Sequence, residues 1–130
     1  MTEEQFRVRY LIDLDWLEAN QRSFIALAQG CLCNDCANKQ RKGKKPVTPA
    51  SLINTISSCC GKRANFITAR MPLLESVFHI FLASGNQAMD LSQIGSQLAE
   101  WRGSGYMVSE STLSRLLASD RYYGIRPEPQ

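Results

Sequence analysis

Five cysteines carry the chemistry most visible in this sequence. Three stand in Cys31-Leu32-Cys33-Asn34-Asp35-Cys36, and the pair Cys59-Cys60 follows after 22 intervening residues. Zinc takes about four thiolate or imidazole ligands in a tetrahedron, with sulfur at about 2.3 Å. Cys33 and Cys36, separated by two residues, can bend around one ion and form the natural first pair. Cys31 is a third candidate, and Cys59 or Cys60 supplies the fourth. Adjacent residues are expected to point apart, so the five thiols are read as one four-ligand site with a spare. An iron–sulfur cluster takes the same number of cysteines, and closely spaced thiols can also oxidise to a disulfide switch. A reduced cysteine is otherwise a small buried hydrophobe. That reading suits Cys59-Cys60 better than three thiols set among Asn34, Asp35 and Asn38.

A basic run follows the first cysteine group: Lys39, Arg41, Lys42, Lys44 and Lys45. The net charge of +3 conceals an asymmetry. Residues 1–70 hold eleven Lys and Arg against six Asp and Glu, whereas 71–130 hold four against six. Spaced cations neutralise phosphates without reading sequence, although such runs are often plain solvated surface. Nothing points to an enzyme. There is no G-x-x-x-x-G-K-[ST] phosphate loop and no paired carboxylate in an acid–base context. The single histidine, His79, lies off the apolar stripe of its helix and is expected at a surface or interface.

The elements that must position these residues follow from patterning. The chain has 130 residues, 44% hydrophobic and 21% charged, the balance of a folded globular protein. The most apolar run, 73–83, is interrupted by Glu75, Ser76 and His79, too short for a membrane span. An acidic start without an apolar core gives no signal peptide, so a cytoplasmic setting with reduced thiols is expected. Phe6 to Ile12 reads as a short strand or arm. Residues 15–29 read as one helix capped by Asp13 or Asp15 and ended by a left-handed Gly30. Residues 31–46 have no helical period and read as a loop. Thr48-Pro49 starts a helix that Gly61 stops. A third begins near Pro72, with Leu74, Val77, Phe78 and Phe81 at i, i+3, i+4, i+7. Asp90 or Ser92 caps the next, and Ser109 the last. Trp16 and Trp101 fall on helical stripes and are expected in the core.

The C-terminal half, 71–126, resembles the winged-helix superfamily of helix-turn-helix proteins. The resemblance rests on Leu91-Ser92-Gln93-Ile94-Gly95-Ser96-Gln97-Leu98 as a second helix, with Val108 to Leu117 as the recognition helix. It implies that Ser111, Thr112, Ser114 and Arg115 face base edges in the major groove, with Arg121, Tyr122 and Arg126 near phosphates. The segment Gly103 to Val108 exceeds the usual short turn, and one strand, Tyr122 to Arg126, follows.

These readings combine into a mainly α chain. A small helical region with a cysteine-rich metal loop, 1–70, precedes a helix-turn-helix or winged-helix-like unit, 71–130. The expected function is that of a small zinc-stabilised protein binding double-stranded DNA, a transcriptional regulator. The alternatives are a protein-interaction adaptor without nucleic acid, and an iron–sulfur or thiol redox sensor.

Overall fold

A computed structural model of the chain describes residues 7–43, 45–103, 105 and 108–129. Strand β1 (Arg9–Ile12) leads into two short helices, α1 (Leu14–Ala19) and α2 (Phe24–Gln29). Then come α3 (Asn34–Lys42), α4 (Pro49–Ser58) and a 3-10 turn at Cys60–Lys62. The second half runs α5 (Leu73–Ala83), β2 (Met89–Asp90), α6 (Leu91–Arg102), α7 (Glu110–Ala118) and β3 (Ile125–Pro127). Among the described residues, no helix is long and apolar enough to cross a membrane.

The helix starts follow local chemistry. Asp13, Ser23, Thr48, Asp90 and Ser109 each accept a first-turn amide, and Thr48–Ser51 and Asp90–Gln93 close reciprocal capping boxes. Four expectations change. Residues 15–29 form two helices, not one. Gln21 takes a positive φ of 60°, and the Ser23 hydroxyl captures the Ala26 N–H, restarting the helix. Gly30 ends α2 at φ −66°, in the right-handed region. Residues 34–42, expected as loop, are helical. Cys33 is extended and caps α3, and Cys36 alone on this helix is buried. Gly61 lies beyond the end of α4. It is buried where a Cβ would come within 2.9 Å of Ala83 Cβ, so its role is close approach to α5.

Helix α5 is the centre of the molecule. Every residue from Ser76 to Leu82 is buried, as expected of a helix covered on all sides. It packs against α4, α6 and β1. One apolar cluster joins Ile12, Leu17, Leu52 and Ile56 from the first half to Phe78, Phe81, Leu98, Leu117 and Ile125 from the second. The two expected units therefore share a core. Trp16 and Trp101 are half-buried against it.

Strand β1 is also the middle of an antiparallel sheet ordered β2-β1-β3. The strand after α7 thus finds its partner at the start of the chain, with Ile12 opposite Ile125. Asn86, at φ 59°, extends the pairing. Its side-chain amide accepts from the Ile12 N–H at 2.8 Å and donates to the Ile12 carbonyl at 3.0 Å. On the other edge, buried Asp120 accepts the N–H groups of Tyr122, Tyr123 and Ile125, each at 2.9 Å, shaping the turn into β3.

That turn depends on Gly124, at φ 74°. A Cβ there would meet Leu17 Cγ at 2.6 Å. A left-handed backbone costs an L-residue about 1–2 kcal/mol, and overpacking adds about 1–3 kcal/mol. Gly124→Ala should therefore lower unfolding free energy by about 2–5 kcal/mol, read as a lower urea midpoint at unchanged m-value.

Candidate metal centre

The Sγ atoms of Cys33, Cys36, Cys59 and Cys60 all lie within 4.8 Å of one another. Cys33 and Cys36 come from the start of α3, Cys59 and Cys60 from the end of α4. Four cysteines in this arrangement could hold a metal ion. Two expectations are corrected. Cys31 stands outside the group. Cys59 and Cys60 both stand inside it, despite being adjacent. Cys59 leaves the helical region, at φ −131° and ψ −73°, so the chain turns between the two thiols and both reach inward.

The thiols differ in their electrostatics. Cys33 is brought down to about 6, chiefly by the Cys36 N–H in the first turn of α3. The exposed amides of a helix start favour an anion there. Cys36 is raised, first by burial and then by the neighbouring thiols. Burial also raises Cys60, against the Cys33 N–H, which donates to Cys60 Sγ at 3.2 Å. Cys60 and Cys33 Sγ are 3.4 Å apart. Arg63 brings the compensating charge. Its guanidinium is stabilised first by Cys59, and it donates to Asp35 Oδ2 at 3.1 Å. The sequence places Lys62 and Arg63 at the negative end of α4 and points to Lys39, Arg41 and Lys62 as the charges near the thiolates; the structure brings Arg63 there instead.

Cys31 has a different partner. Its Sγ lies 3.3 Å from His79 Nε2, and His79 Nδ1 lies 3.1 Å from the Phe66 carbonyl. His79 is buried, not superficial as expected. The helix face opposite the Leu74–Phe81 stripe is covered too, by Phe66, whose ring centroid is 4.8 Å from the imidazole. Burial lowers the His79 pKa and pushes Cys31 up to about 12, so imidazole and thiol are both neutral.

The residues read as nucleic-acid contacts fall into two groups. Lys39, Arg41, Lys42 and Lys45 are exposed at and beyond the end of α3; Lys44 lies outside the described residues. Arg41 donates to Asn38 Oδ1. On α7, Ser111, Thr112 and Arg115 are exposed and Ser114 is half-buried. Thr112 Oγ1 accepts from the capping Ser109 hydroxyl at 2.9 Å. The remaining three are engaged within the fold. Arg121 donates to the Ala118 and Asp120 carbonyls. Tyr122 lies under the Arg22 guanidinium at 4.0 Å, and Arg126 lies over the Trp16 ring at 4.7 Å.

The buried imidazole has a pH signature. Its folded pKa lies below the unfolded value of about 6.5. Above that pH both states are neutral and it contributes no slope. As pH falls below about 6.5 the unfolded state binds the extra proton, and stability is lost until the folded pKa is passed. Denaturant midpoints of wild type and His79→Gln should therefore run parallel above pH 7 and converge or cross below pH 6. The limiting slope difference is about 1.4 kcal/mol per pH unit.

No protein-family model, no curated protein and no solved structure matches this chain, so its function has to be argued from the residues themselves.

Proposed function

We propose that the chain is a small zinc-stabilised DNA-binding protein, a transcriptional regulator without catalytic activity. One observation carries this reading: four cysteine sulfurs gathered within 4.8 Å at the root of a basic helix. A tetrahedron with bonds of about 2.3 Å has edges of about 3.8 Å. The observed spacing suits a single ion. A four-iron cluster puts each thiolate on a different iron and spreads the sulfurs more widely, so zinc is preferred. The ion would clamp the start of α3 to the end of α4. Lys39, Arg41 and Lys42 leave the same helix into solvent, where they contact phosphates, with Lys45 just beyond. Helix α7 offers Ser111, Thr112 and Arg115 to base edges.

The adaptor reading draws on a different observation. Arg121, Tyr122 and Arg126 are engaged in internal contacts, and the second half is net acidic. A docking surface for protein would tolerate both features.

Two measurements test the proposal. Purified protein should carry one zinc per chain by elemental analysis. Cys33→Ser, Cys36→Ser, Cys59→Ser and Cys60→Ser should each lose most of it and melt lower, while Cys31→Ser keeps it. Full occupancy in the first four would refute the centre. Duplex affinity by fluorescence anisotropy should fall steeply with salt. Neutralising Lys39, Lys42 and Lys45 together should reduce the slope of log K against log salt by about 0.9 for each phosphate that no longer meets a cation. Arg115→Ala should relax sequence preference. An unaltered salt slope, with a stoichiometric protein partner recovered from cells, would favour the adaptor.

A further inference from the structure

A cleft of about 520 Å³ lies where the end of α5, β2 and α6 meet, and none of the five cysteines lines it. That volume is in the range of small-molecule sites. One side is a stripe of α6. Gln93, Gln97 and Trp101 stand at i, i+4 and i+8, on one face of the helix, and all three line the cleft. Ile80 of α5 and Met89 of β2 supply apolar lining. The indole of Trp101 is held from the core by Phe66, with ring centroids 6.2 Å apart.

Charge and hydrogen bonding narrow what fits. Among the described residues, no Asp, Glu, Lys, Arg or His lines the cleft. A charged group entering it would lose water and gain no counter-ion, so the enclosed part of a ligand is neutral. The two amides differ in availability. Gln93 Oε1 is committed to the Asp90 N–H at 2.9 Å in the capping box of α6. Gln97 is half-buried and its side chain makes no hydrogen bond with any described residue. It therefore presents one donor and one acceptor together. Adenine is the complement of such an amide, since its N6 amino group donates and its N7 accepts. Guanine offers two acceptors at the same edge and pairs with Arg or Lys, which this cleft lacks. Indole beside the amide gives a flat base a face to stack on.

We infer that this cleft binds an adenine base, free or as its nucleoside, stacked on Trp101 and paired through its N6–N7 edge with Gln97. Neither the metal nor DNA is needed for this site.

The test is calorimetric titration of the full chain with adenosine, adenine, guanosine and glucose. Trp101 emission is followed in parallel in Trp16→Phe, where it is the one indole left. Adenosine or adenine should bind at one site per chain, with Kd about 1 mM or tighter, and quench Trp101. Tighter binding of adenosine assigns the site to the nucleoside; equal or tighter binding of adenine assigns it to the free base. Guanosine and glucose should bind at least about tenfold more weakly, and Gln97→Leu should weaken binding of the adenine compounds by about tenfold or more. Ser96→Phe carries a ring from the exposed side of α6 into the cleft. It should abolish binding with unchanged circular dichroism and melting temperature. No saturable binding of either adenine compound, equal affinity for guanosine or glucose, or wild-type affinity in Gln97→Leu or in folded Ser96→Phe would overturn the site. If Ser96→Phe fails to fold, Gln97→Leu and the guanosine comparison decide.

Discussion

Helix α3 has almost nothing to hold it except sulfur. From Asn34 to Lys42 it offers one buried residue, Cys36. A short helix is marginal in water without an apolar face packed on something. Here the anchoring falls to Cys33 and Cys36, against Cys59 and Cys60 at the end of α4. Helix α4 is fixed independently by Leu52 and Ile56, both fully buried against α2 and α5. The dependence therefore runs one way. The core sets α4, α4 sets two thiols, and those thiols set the helix that carries Lys39, Arg41 and Lys42. A site of this kind converts ion binding into folding free energy for the segment it closes.

The rest of the molecule is tied differently. Strand β1 belongs by sequence to the cysteine-bearing half but pairs only with strands of the other half. Few residues take part, so the pairing relies on substitutes for missing strand. The Asn86 amide stands in for a neighbouring backbone unit at Ile12, and the Asp120 carboxylate gathers the amides ahead of β3. The half-buried Asn86 and the buried Asp120, satisfied in this way, specify register. They also explain why a chain whose second half ends in one strand needs no second one there: the partner arrives from residue 9 onward.

Much of this was legible. The caps at Thr48, Asp90 and Ser109, the α5 stripe and the clustering of distant cysteines all leave local marks in the sequence, because each depends on residue type at fixed spacing. Helix α3 left none, since periodicity detects helices by their apolar face and this one has a thiol in its place. The break at Asn20-Gln21-Arg22 was equally silent, as none of these residues is a strong breaker. It is fixed by a local backbone turn, the Arg22 N–H reaching the Leu17 carbonyl at 2.8 Å, and by one tertiary contact, the Arg22 side chain reaching the Tyr122 carbonyl. The burial of His79 escapes the sequence pattern for a related reason. A stripe shows which helix face is most apolar, but not whether a second face is covered, and Phe66 covers it.

The placement of the cysteines at two helix ends of opposite polarity has an electrostatic consequence. The start of α3 presents amides and favours a thiolate at Cys33, whereas the end of α4 presents carbonyls and gives Cys60 no such help. The Cys33 N–H pointed at Cys60 offsets part of that difference across the gap, and Arg63 offsets more beside Cys59. Four thiolates around a divalent ion carry a net charge near −2, and this chain places a guanidinium at one side of them and a first-turn amide at the other. The lysines of α3 lie toward its opposite end, away from the sulfurs. Because Arg63 and the first-turn amide do the balancing, the lysines' charge is left for whatever the protein meets in solution.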